Sequence, residues 1–207
     1  QYRLATAITP GKHYILVGAK NGSYYAMGSQ NQNNRTGVAI TVTDGLATVT
    51  DDLGVYEVRI NGDLSTGYYT IYDEKTPGYL YAASGTGTGN YMKTEKELDA
   101  NGNGTWEMRV TNEGVASIKA ISDANRPWMR YNSGSTLFSC YQYSDSQSDI
   151  YLFERVGDES TQSAPVEITA AGYATFATKF AVDFSATSLE VYTAQVNDAK
   201  NGVVLNE

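Results

Sequence analysis

The chain has one cysteine and one histidine among its 207 residues. A single thiol excludes an intrachain disulfide framework and a zinc site built from several cysteines, and a single imidazole excludes a multi-histidine metal centre. Proline is scarce at 4 residues, and no run approaches the ~18 uninterrupted apolar residues of a membrane span. Positive charge is also in deficit, with 15 Lys and Arg against 23 Asp and Glu and a formal net charge of -8. That field repels a polyanion unless a local basic patch overcomes it, and the sequence has no such patch, so nucleic acid is not an expected partner. The chain starts at Gln1 without a basic-then-apolar leader, so any signal peptide of the parent is expected to have been removed.

Helical periodicity is nearly absent as well. Lys93 to Asp99 carries Leu98 as its only large apolar residue and runs into Asn101-Gly102-Asn103-Gly104, so at most one helical turn is expected there. Tyrosine is what the chain has in abundance, 17 against 5 Phe and 2 Trp. Its ring packs while its hydroxyl reaches water, which suits half-exposed sheet positions. Short runs of Val, Ile, Tyr and Thr, broken by Gly, Asn, Asp and Ser about every ten residues, predict an all-β chain.

Those runs repeat. An aromatic-led strand recurs as Tyr56-Glu57-Val58-Arg59-Ile60, Trp106-Glu107-Met108-Arg109-Val110 and Tyr151-Leu152-Phe153-Glu154-Arg155. Alternation puts Tyr56, Val58 and Ile60, and likewise Trp106, Met108 and Val110, on one face. Tyr56, Trp106 and Tyr151 are therefore expected to converge on a common core. A second marker runs from Ser23, Tyr79 and Trp128, with Tyr24, Leu80 and Met129 taken as equivalent, and a third opens the units at Tyr14–Val17, Tyr69–Tyr72 and Val115–Ile118. The units are 11–62, 67–111 and 114–157. None is long enough to enclose a core alone, and three four-stranded units sharing one core describe a β-trefoil-like barrel with three internal repeats over residues 1–157. The alternative is a barrel or sandwich whose strands look alike only because β composition is alike. Polar residues 158–165, ending in Pro165, read as a linker. Residues 166–207 hold short strand-like runs, too few to form a core alone, and are expected to be a partial C-terminal β domain whose strands continue past Glu207.

Gly11-Lys12-His13-Tyr14-Ile15-Leu16-Val17, Tyr79-Leu80-Tyr81-Ala82-Ala83-Ser84, Arg126-Pro127-Trp128-Met129-Arg130-Tyr131-Asn132-Ser133 and Phe138-Ser139-Cys140-Tyr141 resemble accessory modules of secreted and surface proteins of gut Bacteroidetes. Ala171-Gly172-Tyr173-Ala174-Thr175-Phe176 with Ala181-Val182-Asp183-Phe184-Ser185 resembles a recurrent carboxy-terminal segment of such proteins. The resemblance implies export to the medium or cell surface and a multidomain parent, often an extracellular hydrolase or nuclease. It implies no catalytic role for the module.

Few residues point to chemistry. Asp99, Asn101 and Asn103 with Gly104 match the first half of a calcium loop, but Val110 stands where a bidentate carboxylate belongs, and such stretches commonly join strands. Gly85-Thr86-Gly87-Thr88-Gly89 opens no helix and reads as a strand connection. Cys140 lies in an apolar strand and His13 has no nucleophile motif nearby. Asp51-Asp52 and Asp73-Glu74 serve a glycosidase only if two carboxyls face each other across about 5–9.5 Å, and turn and edge-strand roles are favoured for both.

The strongest candidate is a carbohydrate-binding surface, since a ring stacks on the apolar face of a sugar while amides and guanidinium satisfy its hydroxyls. Such residues recur in matched places: Tyr25 with Gln30 and Asn31; Tyr81 with Asn90 and Tyr91; Tyr131 with Arg130, Asn132 and Tyr141. The sequence thus predicts a noncatalytic module that binds a glycan or surface polymer and positions further domains of its own parent chain, without a cofactor. Two other readings stay open. One is a structural spacer packed against the parent's catalytic domain. The other is an acidic-residue glycoside hydrolase, which needs a deep pocket with two convergent carboxyls.

Overall fold

The computed structural model describes residues 1–142 and 147–157. The expected linker and C-terminal segment, 158–165 and 166–207, lie outside the described residues. A short strand, β1 (Tyr2–Leu4), precedes a first repeat of β2 (Lys12–Lys20), β3 (Ser23–Asn31), β4 (Asn34–Thr43), the extra strand β5 (Leu46–Thr48) and β6 (Val58–Asp63). The second repeat is β7 (Tyr68–Asp73), β8 (Gly78–Ala82), β9 (Met92–Glu95) and β10 (Thr105–Val110). The third is β11 (Val115–Ala120), β12 (Trp128–Asn132), β13 (Leu137–Tyr141) and β14 (Ile150–Arg155). The stretch expected to hold a helical turn begins instead in β9. A single 3-10 turn, Asp51–Leu53, is the helical element among the described residues, and no helix there is long and apolar enough to cross a membrane.

The outer strands of the repeats pair into a closed antiparallel ring. β2 pairs with β6, β6 with β7, β7 with β10, β10 with β11, β11 with β14, and β14 with β2. The inner strands of each repeat form a hairpin, β3–β4, β8–β9 and β12–β13. A six-stranded ring with one hairpin per repeat is the β-trefoil that the repeats predict. Closure matters because it leaves no ring strand with an unpaired edge.

The register fixes the symmetry. Leu16, Ile71 and Ile118 stand at one position of the opening strands, opposite Leu152, Ile60 and Met108. All six are buried and form a shared layer that no repeat builds alone. Trp106 occupies the position of Val58 and Ile150, opposite Ala120, Asp73 and Gly18. The expected convergence of Tyr56, Trp106 and Tyr151 therefore fails on phase. Trp106 is fully buried and its Nε1 donates to the Leu80 carbonyl at 3.1 Å. Tyr56 precedes β6 and is half-buried, with the Lys75 ammonium 4.8 Å and the Arg35 guanidinium 5.3 Å from its ring centroid. Tyr151 is one residue out of step and points outward, because successive strand residues face opposite sides. By the same pairing, Met27 rather than Tyr24 is the counterpart of Leu80 and Met129.

One face breaks the symmetry. Ile15, Val17 and Phe153 point out of the ring where β2 meets β14, and together with Ala26 and Ala47 they form a second buried cluster. β1 pairs with β14 and with β5, and β5 with β4, so these extra strands cover apolar residues that would otherwise face water. The turns Asn21-Gly22 and Asp44-Gly45 suit this region: φ of 50° and 78°, then 50° and 73°, matches the twist of two-residue hairpins.

Gly18 is required by contact rather than by conformation, since a Cβ there would lie 2.1 Å from Cγ of Tyr131. Gly18→Ala is expected to cost about 3 kcal/mol or more, at the upper end of overpacking penalties. Gly22→Ala meets no atom within 4 Å and is strained only by its φ of 78°, which costs about 1–2 kcal/mol. Urea denaturation of the two variants checks the order.

Candidate functional site

The three hairpins meet at one end of the ring. β4 pairs with β13 through Thr36–Leu137 and Arg35–Phe138, and the Met92 N–H donates to the Asn33 carbonyl at 2.8 Å. Gln30, paired with Arg35 across the β3–β4 hairpin, fills the centre. Its Nε2 donates to the carbonyls of Gln32, Asn34 and Met92 at 3.1, 3.0 and 3.1 Å. The Asn34 amide is assigned with its nitrogen toward the carbonyls of Asn33 at 2.9 Å and Asn90 at 2.8 Å. The Ser139 hydroxyl donates to the Asn90 carbonyl at 2.7 Å and also meets the Asn34 amide. Strand ends that would leave carbonyls unsatisfied are thus tied together by side-chain amides.

Beneath this network lies a buried ion pair. Arg35 Nη2 donates to Asp73 Oδ2 at 2.6 Å, both side chains are fully buried, and Thr94 Oγ1 also accepts from Arg35. The other Asp73 oxygen accepts the N–H groups of Lys75 and Thr76, each at 2.9 Å. Asp73 stands where the other repeats have Gly18 and Ala120, so the cap strand of repeat one is fastened to the ring strand of repeat two and to neither other. The turn role expected for the Asp73-Glu74 pair holds for Asp73, and the buried pair is additional. Glu74 is exposed and bridges Arg59 and His13.

Over the ion pair opens a cleft of about 290 Å³, lined by Asn31, Gln32, Asn34, Thr36, Tyr91 and Thr136, with Arg35 contributing. Tyr91 is 37% exposed, and Gly89 lies so close that a Cβ there would be 2.3 Å from the ring. Lys93 Nζ is 5.9 Å from the Tyr91 ring centroid. Asn31 and Tyr91, expected in separate sites on different repeats, therefore line one cleft, with Gln30 and the Asn90 carbonyl supporting it. Gln32, Asn33 and Asn34 join the cleft beyond the expected residues, and the unbroken amide run from Gln30 to Asn34 is the sequence signal for them; Thr136 of the third repeat has no such signal.

The other expected site residues fall elsewhere. Tyr131 is fully buried, stacked on Tyr25 at 5.9 Å and tilted against Phe138 at 5.0 Å, so its ring belongs to the core and cannot contact a ligand. Tyr25 is half-buried against the same core. Tyr141 is 8% exposed and accepts from Asn132 Nδ2 at 3.0 Å, while Asn132 Oδ1 caps the following turn through the N–H groups of Gly134 and Ser135. Arg130 pairs with Asp149 at 2.8 Å and donates to the Gln147 carbonyl. Arg130, Tyr131, Asn132 and Tyr141 thus serve the third repeat's own packing and turn. Tyr81 is half-buried on the outward face of β8, in the second repeat's hairpin but not among the residues that line the cleft, and burial pushes its phenol up.

At the candidate calcium loop, Asp99 accepts both the backbone N–H and the side-chain Nδ2 of Asn103, at 2.9 and 2.6 Å, and Asn101 is exposed. The carboxylate closes the turn. The Gly85–Gly89 connection is held by the third repeat: the Asn125 N–H donates to the Gly85 carbonyl at 2.8 Å and Arg126 Nε to that of Thr88 at 3.2 Å. Cys140 is fully buried, as its apolar strand implied, and burial pushes its thiol far up.

No protein-family model and no curated protein matches the sequence. Solved structures are similar to it. A GH43 β-1,3-galactosidase aligns with a TM-score of 0.51 at 16% identity, over 73% of this chain and 29% of that chain. The chain thus spans under a third of that protein's length. A designed threefold-symmetric protein, ThreeFoil, aligns with a TM-score of 0.46 at 18% identity over 68% of this chain and 96% of its own. The BEL β-trefoil aligns with a TM-score of 0.49 at 11% identity over 74% and 99% respectively. At these identities the likeness is one of fold.

Asp73→Asn leaves the Arg35 charge buried without its counter-ion and is expected to cost about 3–5 kcal/mol. Arg35→Met in that background should restore part of the loss, which a double-mutant cycle of urea midpoints measures. Cys140 should react with a thiol reagent only at the rate of global unfolding, which a denaturant series of labelling rates tests.

Proposed function

We propose that this β-trefoil is a noncatalytic glycan-binding module, exported to the medium or cell surface, that holds a larger parent protein on its polymer. The observation that carries the reading is the cap cleft: a hollow of about 290 Å³ lined mainly by amide and hydroxyl side chains, with Arg35, Leu137 and the partly exposed ring of Tyr91 completing the lining. Sugars ask for that combination. Pyranose C–H groups stack on an aromatic face, and hydroxyls exchange hydrogen bonds with amides that both donate and accept. Asn31 and Gln32 are exposed at the hairpin tip and free of the packing that holds Gln30 and Asn34, so they are placed to meet a ligand. The resemblance of the sequence to accessory modules of Bacteroidetes surface proteins supports the export and the multidomain parent.

A glycan array probed with the full chain tests the proposal. Tyr91→Ala and Asn31→Ala should each remove most of the signal while leaving the unfolding free energy within about 0.5 kcal/mol of wild type, as exposed substitutions do. Binding should persist in chelator, because the Asp99 carboxylate is already engaged by Asn103. A blank array, or Tyr91→Ala binding like wild type, overturns the cleft as the site.

A further inference from the structure

The ring's register generates three equivalent outward-facing rows, and they are not alike. Where the first repeat meets the third, the row is Val115, Tyr151, Val17, Ala26 and Val38, and the chain's own β1 and β5 strands help to bury it. Between the second and third repeats it is Tyr68, Glu107, Lys119, Trp128 and Tyr141. There the Lys119 ammonium lies 5.5 Å from the Trp128 ring centroid and Tyr141 is buried. Between the first and second repeats the row is His13, Arg59, Tyr72, Tyr79 and Glu95. Tyr72 and Tyr79 meet edge to face at 5.0 Å and 70°, and both remain partly exposed. Tyr81 follows Tyr79 on the same face, ~7 Å along the strand, and pairs with Lys93.

We propose that this ladder of Tyr72, Tyr79 and Tyr81 is a second carbohydrate site, one that takes an extended polysaccharide strand. The inference rests on the glycan-binding reading of the module but not on the cleft. Every ring in the ladder has a charged cross-strand neighbour: Arg59 beside Tyr72, Glu95 beside Tyr79 and Lys93 beside Tyr81. The centre of a protein–protein interface is depleted of charge. A sugar chain uses both features at once, laying C–H faces on the rings and hydroxyls against the ionic groups. The row that is apolar throughout is the one the protein covers itself. A ladder on an outward sheet face suits a running polymer, whereas the cap cleft suits a short epitope, and two sites engaging one polymer gain through effective concentration.

The test is affinity electrophoresis of the full chain through gels containing soluble galactan, xylan or mannan, run beside a short-oligosaccharide array. A polymer should bind wild type ~10²-fold more tightly than its oligosaccharides. Tyr79→Ala and Tyr81→Ala should lose that gain yet match wild type on the array. Tyr79→Phe, which keeps the ring, should be retarded like wild type, and thermal melting confirms that each variant is folded. Tyr91→Ala, which disables the cleft, should lose array binding and keep residual polymer retardation. If both ladder variants migrate like wild type in the retarding gel, or if no polymer retards the wild type, the ladder is not a site. If Tyr91→Ala alone leaves array binding intact, the cleft reading fails and the ladder stands.

Discussion

Every feature of this protein depends on a core that belongs to no single repeat. Leu16, Ile71 and Ile118 facing Leu152, Ile60 and Met108 make one layer from three units, and each residue is buried only because the other repeats are present. A fragment of one repeat would bury too little apolar surface to offset the entropy of ordering its chain. The ring must therefore close in register, since a slip of one residue turns the layer outward and brings charged neighbours such as Arg59 and Glu107 inward.

Departures from threefold symmetry are where the module acquires its character. At the position of Gly18 and Ala120 the second repeat has Asp73, whose charge needs a partner, and Arg35 supplies it from the first repeat's cap. Taking two charges out of water is costly, so the attraction within the pair largely offsets its own desolvation, while its geometry sets β4 of the first repeat against β7 of the second. The amide network above it then draws Asn31 and Tyr91 together.

The sequence made the repeat number and the opening strands legible, because β-branched and aromatic runs punctuated by glycine report strands directly. It misled on phase. Tyr56, Trp106 and Tyr151 begin similar pentapeptides, but Tyr56 lies before its strand, and in the third repeat Ile150, not Tyr151, takes the inward position. An aromatic at a strand start does not say which way it points when the residues beside it are apolar too. The third repeat's expected site came apart for a related reason: Tyr131 and Tyr141 carry the composition of a sugar site, but Tyr131 packs into the core and Tyr141 is buried on the outer row, which only the tertiary pairing decides. The convergence of Asn31 and Tyr91, some sixty positions apart, is likewise set by how hairpins meet at the cap, and nothing local encodes it.

The pairing of β2 with β14 has a consequence for synthesis. Gly18 meets Ile150 and Ile15 meets Phe153, so the first strand of the ring has no partner on one side until the last has left the ribosome. At roughly 5–20 residues per second, the nascent chain carries its apolar opening strand unpaired on that side for on the order of ten seconds. Closing a ring between strands so far apart in sequence makes folding slow, and the early strands stay open to wrong partners until the circle is complete.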